Sequence, residues 1–226
     1  MLRGPSWEKF VRVLTATGDG SWVYRGQGDK AWGLTPSAGR RPVFGVGYSS
    51  IKEQRLYREF RREAPRWERH LSTALEFLAL GQHYGLPTRL LDWSTNPLVA
   101  AWFACANEST ADGRLHMLRV PRHSSIQDDD QAFDPFAIRS AVVLVRVPPN
   151  VARITAQQGL FSLHPDPTAD WNPPSPPHMY SVLDIPRSEK PYFLQMLHIL
   201  GVNHARLMVD LAGHCSTLAW QYKTWP

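Results

Sequence analysis

Positions 82–97 of the chain read Gln82-His83-Tyr84-Gly85-Leu86-Pro87-Thr88-Arg89-Leu90-Leu91-Asp92-Trp93-Ser94-Thr95-Asn96-Pro97. This stretch combines an imidazole, a guanidinium, a carboxylate and several hydroxyls, and apolar residues flank it at 75–80 and 98–106. Gly85 and Pro87 are expected to end the preceding helix, because glycine exposes the backbone and proline lacks the N–H that a helix requires. The charged groups that follow would then lie on a short connection close to the core. Charges near a core are either paired with an opposite charge or kept for a function.

Length and composition favour one soluble domain. The chain has 226 residues, of which 43% are apolar, and this is enough for a sizeable core. Its two cysteines, Cys105 and Cys215, lie in apolar surroundings and are expected to be buried thiols in a reducing compartment. No apolar run has the roughly 20 residues that a bilayer span needs, and the N-terminus lacks a secretory signal. We therefore expect a cytoplasmic protein with no membrane partner.

The basic residues are dispersed along the chain, although the formal net charge is +5. The densest group consists of Arg61, Arg62, Arg66 and Arg69, which alternate with glutamates at 59, 63 and 68. That alternation favours a solvated helix face over a nucleic-acid patch.

Strand and loop signals occupy the middle of the chain. The first strand is expected at Trp22-Val23-Tyr24 and ends at Arg25-Gly26-Gln27. Seven prolines between 165 and 186 predict a long irregular loop. Further strands are expected at 115–120, 141–147 and 160–163.

Helices are predicted early and late. Ser6 and Ser50 are expected to cap the first two, and Asn96 to cap a helix that begins at Pro97. Alanines at 100, 101 and 104 would let the helix that begins at Pro97 pack closely against a sheet. Other helices are expected at 70–84, 191–200, 203–210 and 215–222. The fold class is α+β, with a small mixed sheet surrounded by several helices.

Several of these segments resemble the FRG domain family, which is named after an (F/Y)-R-G tripeptide. The family occurs in bacteria and phages, and a toxin or phage-defence setting would fit it. The resemblance leaves the reaction to be argued from residues. It covers about residues 20–215, and the whole chain, 1–226, is expected to form one domain of this type. The matching segments are Tyr24-Arg25-Gly26-Gln27, Trp32, Leu34, Pro36, Glu53, the 82–97 stretch, Gln158-Gly159-Leu160-Phe161 and Leu200-Gly201-Val202.

Each candidate site residue has a functional and a structural interpretation. Arg25 suits a phosphate or carboxylate, or else it pairs with Asp92 or Glu53 inside the fold. His83 is a general acid or base, or a structural hydrogen-bond donor. Asp92 is a catalytic carboxylate or the partner of Arg89. We predict a polar cleft with catalytic candidates Arg25, His83, Asp92 and Gln158, substrate-binding candidates Gln27, Arg89, Trp93, Ser94 and Thr95, and no metal.

ADP-ribosyl transfer from NAD is the reaction that this set favours. It requires a cation, a hydroxyl-bearing strand end, an aromatic ring and usually an acidic residue for the oxocarbenium-like transition state. The set resembles the three-part layout of ADP-ribosyltransferases. Its three parts are Arg25, Ser94 or Thr95, and the segment that begins at Gln158. Gln158 departs from it, since many such enzymes carry glutamate there, and Asp92 is the candidate replacement. The acceptor would be a protein or a nucleic acid, and an antitoxin-type partner would fit the setting.

Two alternatives stay open. Phosphodiester hydrolysis would use His83 as base, Asp92 and Glu53 as acids or metal ligands, and Arg25 and Arg89 on phosphate. A non-catalytic module would bind a nucleotide or a partner in the same cleft. Both enzymatic interpretations, ADP-ribosyl transfer and phosphodiester hydrolysis, require that the segments near residues 25, 90 and 158 converge around an open cavity.

Overall fold

The computed structural model describes residues 4–40, 44–45, 47–106, 110–120, 127–128, 133–148, 152–173 and 179–224. Within them the fold is α+β, as expected, with helices packed against one face of a mixed sheet. No described helix has the length and apolar character needed to cross a membrane. The helices are α1 Pro5–Ala16, α2 Ser50–Glu63, α3 Ala74–His83, α4 Pro97–Ala106, α5 Ala152–Ala156, α6 Lys190–Ile199, α7 His204–Met208 and α8 Leu211–Thr224.

The described strands form a sheet in the order β4-β5-β6-β2-β1-β3-β7. The β4–β5 pair is parallel, and the other neighbours are antiparallel. The strands are β1 Trp22–Gln27, β2 Leu90–Ser94, β3 Gly113–Arg119, β4 Gln127–Asp128, β5 Val143–Arg146, β6 Gly159–Leu163 and β7 Tyr180–Ile185.

Helix α4 packs directly on β1. Its start agrees with the prediction, since the Asn96 side chain accepts a hydrogen bond from the N–H of Leu98 at 2.9 Å. The predicted close packing is also present: a Cβ on Gly26 would overlap the carbonyl oxygen of Ala100 and lie 2.6 Å from the backbone nitrogen of Ala104. Only glycine therefore fits between the arginine and glutamine that end β1.

The opposite face of the sheet is covered by loops. Val23, Trp93 and Leu118 lie there, under Leu34 and Trp171. Because side chains alternate along a strand, Arg25 shares this face with Val23. The segment 28–40 consequently lies on the same side of the sheet as the Arg25 side chain.

Three local expectations need correction. Residues 90–94 form a central strand, β2, rather than a connection, because they pair along their length with β6. The proline-rich segment contains β7, since no proline lies within residues 180–185, which pair with β3. Strand β1 ends at Gln27, as predicted. Cys215 is exposed, although Cys105 is buried as predicted.

Two predicted helix caps are also wrong. Helix α1 is preceded by Gly4, and the N–H and hydroxyl of Ser6 donate to the Glu189 carboxylate at 3.0 and 3.1 Å. Helix α2 is capped by Ser49 instead of Ser50. This shift of one residue leaves Glu53 outside any capping box, and its side chain is buried.

Candidate functional site

A cavity of about 300 Å³ opens where β1 and β2 diverge. Strand β1 pairs with β3 over six residue pairs, whereas its register with β2 consists of the single pair Tyr24–Ser94. Beyond that pair the two central strands separate. Helices α3 and α4 contribute walls on one face of the sheet, and residues 28–40 contribute walls on the other. The volume is at the lower end of the range for small-molecule pockets.

Arg25 spans the gap between the two strands. Its Nη1 donates to the carbonyl oxygen of Asp92 at 2.8 Å and lies 3.8 Å from Oδ2 of the same residue. The Arg25 side chain is 12% exposed, and its buried Nε finds no hydrogen-bond partner in the described part of the chain. Burial, and to a lesser extent Arg40, lower its pKa to about 10 against the opposing effect of Asp92. At neutral pH the cavity therefore contains a cation with hydrogen-bonding capacity to spare.

Asp92 supplies the acidic group of the cavity. Among the described lining residues it alone carries a carboxylate, and its side chain is 61% exposed. Oδ1 accepts a hydrogen bond from Nε2 of Gln82 at 2.7 Å. The Gln82 oxygen in turn accepts from the hydroxyl of Thr88, which sets the orientation of the amide. The Asp92 carboxylate is thus oriented by α3 while remaining open to a ligand.

Three further lining residues were not among the predicted site residues. Arg40 adds a second cation, held by a 2.9 Å bond from its Nε to the carbonyl of Thr35. Trp32 lines the cavity with 47% of its surface exposed, and Phe103 contributes a second ring. An exposed tryptophan and paired arginines in one Gly/Pro-rich loop were the available sequence signal for Arg40 and Trp32.

His83 lies at the last position of α3 and lines the cavity. It is half-buried, and its ring packs edge-to-face against Tyr84 with 4.6 Å between centroids. The imidazole therefore lies on the wall that also carries Gln82.

The end of β2 contacts the start of β6. The Ser94 hydroxyl donates to the carbonyl of Gln157 at 2.7 Å, and the Thr95 N–H donates to the carbonyl of Gln158 at 3.1 Å. Gln157 lines the cavity, whereas the Gln158 side chain is exposed and does not. Gln158 also has φ +48°, which turns the backbone before Gly159. The stretches near 25, 90 and 158 do lie around one cavity, but the glutamine on its wall is the neighbour of the predicted one.

Arg89 lies away from this cavity. It is 3% exposed and forms a bidentate ion pair with Glu53, with Nε–Oε1 at 3.0 Å and Nη2–Oε2 at 2.6 Å. Its guanidinium also lies over the ring of Phe136, 4.7 Å from the centroid. The structure therefore gives Arg89 a role in the core, and it separates Glu53 and Arg89 from Asp92 and Arg25.

Gln27 borders the cavity, but its polar atoms are already bonded. Its amide nitrogen donates to the carbonyl of Gly33 at 3.0 Å, and its oxygen lies 2.6 Å from Nε2 of His116. Burial, with smaller effects from Arg25 and Arg114, lowers the pKa of His116 to about 3, so the ring is neutral. Nε2 must then donate to Gln27, and Nδ1 accepts from the hydroxyl of Tyr180 at 2.6 Å.

Trp93 is 2% exposed, and its indole nitrogen donates to the hydroxyl of Ser162 at 3.0 Å. Ser162 in turn bonds Nε2 of His164 at 2.9 Å. The Trp93 ring therefore packs in the core with Leu34 and Leu160, and the residue also lines the cavity.

Residues 20–113 match the FRG domain family model. No curated protein and no solved structure matches the chain. The matched residues include Arg25, Arg40 and Asp92, whereas Gln157 and the β6 side of the cavity lie beyond them. The comparison supports the resemblance seen in the sequence and names no activity.

Proposed function

We propose that this chain, which carries an FRG domain at residues 20–113, is an enzyme that acts on a nucleotide-containing substrate, with NAD-dependent ADP-ribosyl transfer as its reaction. The observation that carries the proposal is the composition of one cavity. Two guanidinium groups, one oriented carboxylate and exposed aromatic surface face a common space at the divergence of β1 and β2.

The cations and rings suit the two chemical parts of a nucleotide. Arg25 and Arg40 would bind the phosphates, because a guanidinium matches phosphate geometry and the unbonded Nε of Arg25 is already desolvated. Trp32 and Phe103 would contact a planar base or nicotinamide ring. A cavity of about 300 Å³ would hold one half of a dinucleotide, with the other half along the Arg40 side of the mouth.

Asp92 would act on the ribose. In the transfer, the bond between C1′ of the ribose and the nicotinamide nitrogen breaks, and nicotinamide leaves with the bonding electrons. A nucleophile of the acceptor forms a new bond to C1′ and releases its proton to Asp92 or to His83. The Asp92 carboxylate would stabilise the positive charge that develops on the sugar, and Gln82 would keep it in place.

The contact between β2 and β6 supports the analogy with ADP-ribosyltransferases. Arg25, the Ser94–Thr95 strand end and the segment before β6 lie around the same cavity. Gln158 carries no negative charge and does not line the cavity, so the carboxylate function would fall to Asp92 on the strand next to Arg25. The acceptor would be a protein or a nucleic acid, and a toxin or phage-defence role with an antitoxin-type partner fits the family.

The test measures nicotinamide release and transfer of label from adenylate-labelled NAD to lysate protein, DNA or RNA. Asp92→Asn is expected to lower transfer by at least about 100-fold, which is the usual effect of removing a group that stabilises transition-state charge. Asp184→Asn is the matched control, because Asp184 also pairs with an arginine of a neighbouring strand but lies outside the cavity walls. This control is expected to retain activity.

A non-catalytic nucleotide-binding module is the competing function. It is favoured by the direct bond from Arg25 to the backbone of β2, which shows that this arginine also stabilises the divergent strands. Binding of NAD without nicotinamide release or label transfer would reject the enzyme and support the module. Absence of both binding and turnover would reject a nucleotide site altogether.

A further inference from the structure

The outer surface of α2 carries most of the net charge of the chain. The exposed cations of α2 and of the turn that follows it form one basic surface. Its members are Lys52, Arg55, Arg58, Arg61, Arg62, Arg66 and Arg69. Glu59, Glu63 and Glu68 oppose them, while Glu53 points inward and is neutralised by Arg89. Seven cations against three carboxylates leave an excess of four, compared with a formal net charge of +5 for the whole chain.

The cations are regularly spaced along the helix. Arg55, Arg58 and Arg62 share one face at intervals of three and four residues. At a rise of about 1.5 Å per residue, the row from Lys52 to Arg66 extends over about 20 Å. Within the described residues, neither Arg55 nor Arg58 forms an ion pair. Arg62 pairs with Glu59 and Arg66 with Glu63, so Arg55 and Arg58 are the uncompensated cations of the row. A linear array of cations matches the repeated phosphates of a nucleic-acid strand.

An exposed tryptophan completes this surface. Trp67 directly follows the basic row and is 75% exposed. The guanidinium of Arg66 lies over its ring, 5.6 Å from the centroid, so a cation and an exposed indole lie together at the surface. Exposed aromatic rings next to cations bind single strands, because unstacked bases stack on the ring while the cations follow the backbone.

We infer that the basic surface binds single-stranded nucleic acid, with phosphates on the Arg55–Arg58–Arg62 row and one base stacked on Trp67. The sequence pattern alone favoured a solvated face. The surface exposure of Trp67 and the inward turn of Glu53 change that interpretation. This binding is independent of the reaction proposed for the cavity, so the two can succeed or fail separately.

The test is fluorescence anisotropy of a labelled single strand of about 20 nucleotides, titrated with the full chain at several salt concentrations. Removing two phosphate contacts with Arg55→Gln/Arg58→Gln is expected to reduce the slope of log Kd against log salt by about 1.4, at about 0.7 per contact. Arg12→Gln/Arg206→Gln removes the same charge from exposed positions on α1 and α7, and is expected to leave the slope unchanged. Trp67→Ala is expected to weaken binding at least fivefold, roughly, at an unchanged slope.

All five side chains are exposed, so the variants are expected to keep the melting temperature of the parent chain. The inference is overturned if no binding occurs at about 50 mM salt, or if the control pair weakens binding as much as the α2 pair. Retention of full affinity by the Trp67 variant, or tighter binding of polyglutamate than of the oligonucleotide, would also overturn it. Tighter binding of polyglutamate would point to an acidic protein partner.

Discussion

The buried ion pair between Arg89 and Glu53 allows a quantitative test of which charged residues in the 82–97 stretch are structural. Arg89→Met removes the cation and approximately preserves the side-chain length. Glu53 is 2% exposed, and without Arg89 its carboxylate keeps the hydroxyl of Tyr48, at 2.8 Å, as a hydrogen-bond donor. Removing one partner of a buried pair costs about 3–5 kcal/mol, because the remaining charge is desolvated and unpaired. For a chain of this size the melting temperature should fall by about 6–20 °C.

Urea denaturation followed by circular dichroism measures this loss. The double variant Glu53→Leu/Arg89→Met is expected to be more stable than Arg89→Met, since it removes the isolated charge. The exposed pair Arg114–Asp184 provides the control, and Arg114→Met should cost no more than about 1 kcal/mol. A loss below about 1 kcal/mol for Arg89→Met would falsify the assignment of Arg89 to the core. Normal stability combined with lost ligand binding would return Arg89 to the site.

Two further predictions concern packing and pH. Gly26→Ala is expected to lower the free energy of unfolding by about 1–3 kcal/mol, because a Cβ would collide with the backbone of α4 at Ala100. A melting temperature equal to that of the parent chain would contradict this. Burial, assisted by Arg25, lowers the pKa of His116 to about 3 and that of His164 to about 4. Below about pH 6.5 the unfolded chain binds protons at these imidazoles and the folded chain does not. The free energy of unfolding should therefore be highest above about pH 6.5 and should fall as the pH drops toward 4, by up to about 1.4 kcal/mol per pH unit for each imidazole. Equal unfolding free energies at about pH 7 and pH 5 would show that these rings are not desolvated as described.

Signals that act within a few residues predicted structure well. Helix α4 begins where Asn96 and Pro97 indicate, and α6 is followed by Gly201 with φ +84°. In both cases the determining contacts are local, so the amino acids themselves carry the information. The tight fit of Gly26 against the alanines of α4 was also accessible from residue size.

Strands β2 and β7 were missed because their identity depends on distant partners. Residues 90–94 are a short apolar segment with no clear period, and they become a strand by pairing with β6, about 70 residues later. The prolines at 165–186 conceal an uninterrupted stretch that pairs with β3. Helix α2 is capped by Ser49 instead of Ser50, and the Glu53 side chain points inward to pair with Arg89, 36 positions away.

The amino-acid sequence by itself determined the α+β class, the FRG-type segments and a short set of polar residues that includes Arg25, His83 and Asp92. Tertiary structure alone decided which arginine faces a cavity and which is sealed in the core. Two guanidinium groups have the same chemistry, and their environments differ because β1 and β2 part beyond Tyr24–Ser94, whereas Glu53 approaches Arg89 from 36 residues away. Burial and charge pairing depend on such long-range contacts, which no local pattern of residues encodes.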